Sequence, residues 1–302
     1  MAEKPIPRWV GIALLLVVAT VFGANHIAAR VAFEHGANVT TAVAFRSTGT
    51  ALFVALLLYI YRIPWRIPQR TAGHAIIVGL LVASQSYCLY SAVAIIPVAL
   101  ALLVFQTFPM LLALLSWTAG GERPARRALL AMPLALVGLV LALDVWGRGG
   151  AHVTGFAGRW SEIGVGVLWA GAAALSFAGA FLLMTKWLGA IDGRLRSFLT
   201  MSVVALVVLA GGAAAGDFRL PADFTGWVAI AVLTACYGTA ITAVFVLLPR
   251  IGAVNNAMVL NFEPIAVLAL AWVILDQKVA SLQIVGAFIV VGAIMVLGAS
   301  KK

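Results

Sequence analysis

One carboxylic acid, Glu263, lies deep inside a long apolar stretch, in the run NFEPIAVLALAW. If this run crosses a membrane as a helix from near Val254, nine residues at about 1.5 Å each place the carboxyl about 14 Å deep, near the middle of the lipid core. A charge there costs at least about 2.5 kcal/mol, so we expect the carboxyl to be protonated or paired. It could contact a substrate ammonium or exchange a proton, or it could be a structural group bonded to a neighbouring helix.

Two amides, Gln106 and Asn261, occupy equivalent positions when the chain is shifted against itself by 155 residues, and a proline follows each of them, Pro109 and Pro264. Proline in a membrane helix frees backbone carbonyls that can line a cavity, so we expect hinges and a shared polar cavity at this level. The alternative is that the amides only tie helices together, with hydrogen bonds of about 0.6 kcal/mol on average.

Arg46 lies about seven residues into its apolar run, too deep for a loop residue but within partial snorkelling reach. Two roles compete for it. It could pair with Glu34 or another carboxylate near the outer mouth as a scaffold, or it could attract a substrate carboxylate.

Aromatic and polar side chains at interior levels of the apolar runs suggest a substrate class. For any one of them, packing against lipid or another helix is the simpler interpretation, but a cavity walled by several would suit planar or bulky apolar groups, by stacking and by cation-π contact with an ammonium. Ser84, Tyr87 and Ser91 also form a polar stripe that should avoid lipid. The candidate substrate-contacting residues of this kind are Tyr87, Tyr90, Tyr237, Trp169, Phe177, Ser84 and Asn25.

These residues lie in a chain that lipid must solvate. Of 302 residues, 64% are hydrophobic and only 10% are charged, against about 25% charged in soluble domains. At about 20 residues per span, the composition predicts ten membrane helices and no soluble domain. The predicted spans cover residues 9–29, 39–61, 74–94, 97–118, 129–146, 164–185, 197–215, 226–248, 254–275 and 281–299.

The distribution of Lys and Arg predicts the orientation. With both termini in the cytoplasm, fourteen of the 20 basic residues lie on the cytoplasmic side, five lie outside and Arg46 lies within a span. The net charge of +10 is therefore mostly a topology signal. No basic patch indicates nucleic acid binding.

An internal repeat organises the ten spans. The 155-residue shift lays VFQTFPMLLALLSW (104–117) on VLNFEPIAVLALAW (259–272). Each copy then holds five helices, residues 1–147 and 148–302, and an odd number inverts the second copy in the membrane. Inverted repeats around a central site are a transporter design.

The stretches FGANHIAARVAF, AFRSTGTALFVALLL, YCLYSAVAIIPVALALLVFQTFPMLLALLSW and NFEPIAVLALAWVILDQKVASLQIVGAFIVVGA resemble the EamA-type carriers of the drug/metabolite transporter superfamily. Arg46, Pro109 and Glu263-Pro264 are the most diagnostic matches. The chain looks closest to exporters of the YddG type, whose substrates are aromatic amino acids. The resemblance implies an all-α membrane protein of ten helices around a central cavity in the bacterial inner membrane, and it favours the scaffold role for Arg46.

We therefore expect a secondary transporter that exports small amphipathic metabolites, most of all aromatic or other apolar amino acids, by alternating access. Export of cationic or lipophilic drugs on Glu263 is the alternative. A membrane enzyme is disfavoured because no H-E-x-x-H, no G-x-S-x-G and no paired intramembrane Asp occur, and a channel because no filter loops occur. No metal or cofactor is expected, since the two cysteines are isolated. The sequence leaves the exact substrate, the driving force, the direction and the oligomeric state open.

Overall fold

The described part of the chain is entirely helical. The computed structural model describes residues 8–65, 67–120, 156–251, 262–276 and 280–299, with 133, 134, 137, 138, 140 and 141, and these residues contain no strand. The described helices are α1 (Arg8–Glu34), α2 (Val39–Ile60), α3 (Gln69–Ile95), α4 (Val98–Phe105), α5 (Phe108–Thr118), α6 (Phe156–Leu188), α7 (Gly193–Ala215), α8 (Phe224–Ile251), α9 (Glu263–Leu275) and α10 (Ser281–Ala299).

Proline sets two of the helix boundaries. As predicted, α3 and α4 are separate helices, because α3 ends at Ile95 and Pro97 caps the start of α4. Helices α4 and α5 are two parts of one predicted span, broken at Gln106 and Thr107. Pro109 follows in the first turn of α5, where its missing N–H leaves the backbone ladder interrupted.

Seven described segments are long and apolar enough to cross a membrane, and α4 and α5 together make one of them. Two further apolar helices, Glu263–Leu275 and Ser281–Ala293, are shorter. The described residues therefore contain nine helices when α4 and α5 are counted together. Most of the predicted span 129–146 and the start of the predicted span 254–275 lie outside the described residues, so the count of ten stays a prediction.

Helices from the two ends of the sequence interleave. The most extensive contacts join α3 to α6, α1 to α8 and α2 to α7, and α1 also packs against α9. Small residues allow these helices to approach closely. A Cβ added to Gly23 of α1 would lie 2.8 Å from Val267 Cγ2 of α9, and one added to Gly79 of α3 would lie 2.5 Å from Val203 Cβ of α7.

Candidate functional site

A buried polar cluster surrounds Tyr90, the largest side chain with no solvent exposure in the described residues. Its hydroxyl donates a hydrogen bond to Asn25 Oδ1 of α1 at 2.9 Å. The guanidinium carbon of Arg46, on α2, lies 4.8 Å from the centre of the Tyr90 ring and 4.1 Å from the centre of the Tyr237 ring on α8. Arg46 Nη2 also donates to Ser86 Oγ at 2.7 Å. We call Asn25, Arg46, Ser86, Tyr90 and Tyr237 the central cluster.

Helical periodicity brings these side chains to one place, because residues three or four apart share a helix face. On α3, Ser86 and Tyr90 are one turn apart and both face Arg46. On α1, Phe22 and Asn25 are three residues apart, and the Phe22 ring packs edge-on against Tyr237 with 6.0 Å between centroids. The central cluster thus joins α1, α2 and α3, in the first half of the chain, to α8 in the second half.

A pair of ionisable side chains, His26 and Glu263, adjoins the central cluster. His26 Nε2 lies 3.5 Å from Glu263 Oε1, with only 7% and 18% of the two side chains exposed, and the His26 ring lies 5.7 Å from the Tyr90 ring. Glu263 is the first residue of α9, where the partial positive charge of a helix N-terminus favours a carboxylate. The carboxyl is thus paired, as expected, and its partner is a histidine.

The predicted pairing of Arg46 with Glu34 is wrong. Glu34 accepts a hydrogen bond from Arg30 Nε at 2.8 Å, one turn earlier on α1, and Arg30 also donates to the backbone carbonyls of Val93 and Ala94. Arg46, by contrast, is only 3% exposed. Among the described residues, no carboxylate lies within 4 Å of Arg46.

The other predicted aromatic and hydroxyl residues lie along α6 and form a second group. Tyr87 is 39% exposed and packs edge-on against Trp169 at 6.3 Å, and Phe177 packs edge-on against Phe108 at 4.9 Å. Ser84 lies 3.2 Å from the hydroxyl of Ser176. None of these contacts joins the central cluster. On α3 the stripe of Ser84, Tyr87 and Ser91 therefore faces a different neighbour from Ser86 and Tyr90.

The predicted amides and hinges are placed only in part. Gln106 is buried where α4 ends, and its backbone N–H donates to the carbonyl of Leu102. Pro109 stands in the first turn of α5, just after the break between α4 and α5, which agrees with its predicted place at a helix interruption. Pro264 stands in the first turn of α9, and its role as a hinge stays a prediction. Asn261 lies outside the described residues, so its proposed symmetry with Gln106 stays a prediction.

One end of the bundle carries a polar network that the sequence did not reveal. We call it the polar junction: residues 35–40, between α1 and α2, against residues 217–226, between α7 and α8. Asn38 Nδ2 donates to the Asp217 backbone carbonyl at 2.6 Å, and Thr40 Oγ1 donates to Asp217 Oδ2 at 2.7 Å. His35 Nδ1 lies 2.6 Å from Asp223 Oδ2. The sequence did offer one signal: Asn38 and Asp217 are polar turn residues that follow the first and seventh predicted spans, and both spans are predicted to end on the same side of the membrane.

The carboxyl of Asp223 is held by donors on both sides. The backbone N–H of Gly226 donates to Asp223 Oδ1 at 2.8 Å, and His35 contacts the other oxygen. These contacts lower the pKa of Asp223 below its ordinary value, the Gly226 N–H being the larger cause and His35 the next. The junction therefore retains its carboxylate charge into mildly acidic solution.

The part of the chain that the structure describes is all helices and connecting turns, with seven segments able to cross a membrane and a buried polar cluster between helices, and this combination defines a multi-pass membrane protein. The sequence model of the EamA-like transporter family matches the chain twice, at residues 9–143 and 164–299. The chain therefore belongs to the EamA-like transporter family. The family points to transport of small molecules in a lipid environment rather than to an enzyme.

One solved structure, described only as a crystal structure of a protein, has a TM-score of 0.65 to this chain. The alignment covers 96% of this chain and 98% of that one at 17% sequence identity, so the likeness concerns the fold alone. No curated protein gives a significant match.

Proposed function

We propose that the chain is a secondary transporter that exports small amphipathic metabolites, above all amino acids with aromatic or other apolar side chains, across the bacterial inner membrane. The observation that carries this proposal is the central cluster with its adjoining His26–Glu263 pair. A cation, a carboxyl group and aromatic faces meet there inside an apolar bundle. Buried ionisable groups in membrane segments mark substrate or ion pathways more often than scaffolds.

The proposal includes an inverted repeat of residues 1–147 and 148–302, with both termini in the cytoplasm. Two separate matches to one family model support the duplication. The packing also supports it. In an inverted repeat α1 corresponds to α6 and α3 corresponds to α8, so the contact of α1 with α8 is equivalent to the contact of α6 with α3, and both contacts are present. A pair of equivalent contacts of this kind is expected of two related halves around a pseudo-two-fold axis.

Glu263 is the proposed site for a substrate ammonium or a transported proton, and His26 holds it in place. Tyr90 and Tyr237 supply aromatic faces beside it, and Gln106 and Asn261 supply amides at the level where the helices are interrupted. The second aromatic group, with Tyr87, Trp169 and Phe177, would accept the apolar side chain of the substrate by stacking.

The central cluster is closed in this structure, because Asn25, Arg46 and Tyr90 are all buried. Substrate access therefore requires α8 or α9 to move away from α1 to α3. Pro109, at the break between α4 and α5, and Pro264, in the first turn of α9, are the proposed hinges, since a broken backbone ladder bends at low cost.

The test is flux in liposomes that contain the purified full-length protein and labelled Phe, Trp or Thr, with and without an imposed proton gradient. We expect saturable Phe or Trp flux that Glu263→Gln lowers at least tenfold. Glu34→Gln, which alters an exposed carboxylate paired with Arg30, is the matched control and should keep the flux.

Two results would contradict the proposal. Normal saturable flux in Glu263→Gln would remove the role of this carboxyl. Saturable flux of an organic cation with none of Phe would favour a drug exporter, a function that a single buried carboxyl beside aromatic rings also suits.

A further inference from the structure

Arg46 is a buried cation with few partners. Its side chain has one hydrogen bond, to Ser86 Oγ, and two aromatic faces, but Nε has no hydrogen-bond partner. No described carboxylate lies within 4 Å of it. A guanidinium keeps its charge in a protein, and burying a charge without an anion is costly. Arg30, which is only half-buried, is better partnered, with Glu34 and two backbone carbonyls.

Two neutral donors beside the same tyrosines also lack partners. Asn25 uses its carbonyl oxygen to accept from Tyr90, while its Nδ2 is buried with no partner. Thr50 lies one turn from Arg46 on α2, and its buried hydroxyl has no partner either. A Cβ built on Gly238, the residue after Tyr237, would lie 3.9 Å from that hydroxyl. Arg46 Nε, Asn25 Nδ2 and the Thr50 hydroxyl are thus three buried donors without an acceptor in the neighbourhood of Tyr90 and Arg46.

We propose that Arg46, Asn25 and Thr50 form a carboxylate-binding subsite for the transported substrate, an inference that rests on the transport function proposed above. A carboxylate suits this set because the Nε edge of a guanidinium donates to its two oxygens in parallel. The amide of Asn25 and the hydroxyl of Thr50 add donors that need no counter-charge. Because Arg46 is one cation without a paired anion, it favours a ligand with a single negative charge. The flanking rings of Tyr90 and Tyr237 favour a planar anionic group such as a carboxylate.

Arg46 and the His26–Glu263 pair both adjoin Tyr90, so they are proposed to hold the two charged groups of one amino acid. Arg46 contacts the Tyr90 ring from α2, and His26 contacts it from α1 beside Glu263. The carboxylate of the substrate would bind at Arg46 and its ammonium at Glu263. A ligand that lacks one of these two groups would therefore lose only the interaction that the missing group makes.

The experiment measures ligand binding to the purified full-length protein at constant chloride, by ligand-induced rise of the melting temperature and by titration. The probes are phenylalanine, phenylalaninamide, which lacks the carboxylate, 3-phenylpropionate, which lacks the ammonium, and phenethylamine. We expect phenylalaninamide to bind at least tenfold more weakly than phenylalanine to the unaltered protein. Equal affinity for the two would overturn the subsite.

Variants locate the effect. Arg46→Gln should weaken the binding of phenylalanine and 3-phenylpropionate at least tenfold and that of phenethylamine less than twofold. Arg30→Gln, the matched control, should change the binding of none of the three. An equal loss for all probes would overturn the subsite. Thr50→Val replaces one hydroxyl by a methyl of similar size and serves if Arg46→Gln does not fold. It should weaken the binding of the two carboxylate ligands at least threefold and leave the binding of phenethylamine unchanged. Equal effects on the carboxylate ligands and on phenethylamine would again overturn the subsite.

The outcomes separate this inference from the transport proposal. If Phe flux is absent but 3-phenylpropionate still stabilises the protein in an Arg46-dependent way, the transport proposal fails and the subsite stands. If Phe flux is present and Arg46→Gln leaves both it and the affinity for phenylalanine unchanged, the subsite fails. Nitrate that competes with 3-phenylpropionate at equal affinity would show a general anion site and overturn the assignment to carboxylates.

Discussion

The guanidinium carbon of Arg46 lies 4.1 Å from the centre of the Tyr237 ring, so α2 and α8 meet through a cation and an aromatic face. One turn further along α2, Gly49 lies directly against Thr234 of α8. The two helices therefore approach closely where the buried charge is held. A movement that opens this interface must also give up the cation-π contact.

The first prediction concerns this contact. Tyr237→Phe keeps the ring and should change the apparent free energy of unfolding by less than about 0.5 kcal/mol, whereas Tyr237→Leu should lower it by about 1 to 2 kcal/mol, the magnitude of a buried cation-π contact. Thermal or denaturant unfolding in detergent measures both. Tyr59→Leu, at an exposed ring, is the control. Equal losses for Phe and Leu at residue 237 would show that the ring face is not what matters.

The second prediction treats His26 and Glu263 as a unit. Each of His26→Gln and Glu263→Gln should lower the initial rate of Phe flux at least tenfold. The double variant should be no slower than the slower single variant, because residues in direct contact are not additive. A double variant in which the two losses multiply would show that His26 and Glu263 act independently.

The third prediction tests the close approach of α1 and α9. Gly23→Ala would place a methyl 2.8 Å from Val267 Cγ2, and overpacking of this kind destabilises by about 1 to 3 kcal/mol. Gly211→Ala is the matched control, because nothing lies within 4 Å of a Cβ there. Since Ala is a better helix former than Gly by up to about 1 kcal/mol, the control should be neutral or stabilising. Unfolding transitions of the two variants decide the point.

The fourth prediction concerns the polar junction. A Cβ on Gly36 would lie 3.4 Å from the Cβ of Ala222, close to the spacing of about 3.5 to 4.5 Å that a disulfide requires. In a chain without Cys88 and Cys236, Gly36→Cys with Ala222→Cys should form a disulfide that stops flux until a reductant is added. Flux that continues after full oxidation would mean that this end need not open.

Gly36 has a φ of +94°, which is unfavourable for cysteine. Gly36→Cys alone is therefore the necessary control for the disulfide. It should lose some stability and keep its flux in both oxidising and reducing conditions.

The fifth prediction is a pH dependence. Because the pKa of Asp223 is lowered in the folded protein, its contribution to stability is fully present above the unfolded value of about 3.9 and is lost as the pH falls through the folded value. Melting temperatures of the unaltered protein and Asp223→Asn should differ most above the unfolded pKa of about 3.9, and the difference should shrink as the pH falls below that value. A difference that does not shrink as the pH falls further would contradict the prediction.

The sequence predicted the features that proline and hydropathy control. The end of α3 before Pro97 and the break before Pro109 follow from the backbone chemistry of proline, which acts on residues next to it. The burial of Gln106 and the pairing of Glu263 follow from the cost of polar groups in lipid. These effects depend on the local sequence alone, so a single chain suffices to predict them.

The partners of the buried charges could not be predicted in the same way. Arg46 contacts Tyr237 because α2 and α8 pack together, and this choice of neighbour depends on helix packing across the whole chain. Glu34 binds Arg30 instead, since a residue one turn away on the same helix needs no tertiary contact. The polar junction was missed for a related reason: Asn38 and Asp217 are ordinary turn residues until two loops are known to meet.

The two free cysteines are near residues of the central cluster in the sequence: Cys88 stands between Ser86 and Tyr90 on α3, on the face of Ser84, and Cys236 precedes Tyr237 on α8. Cys88 is only 8% exposed, whereas Cys236 is half-buried. A membrane-permeant maleimide should reach Cys88 only after the helices around it separate, and the more exposed Cys236 is the reference in the same molecule. The extent of Cys88 labelling relative to Cys236, measured by mass spectrometry, would therefore report the separation of the helices in the native chain without any engineered label.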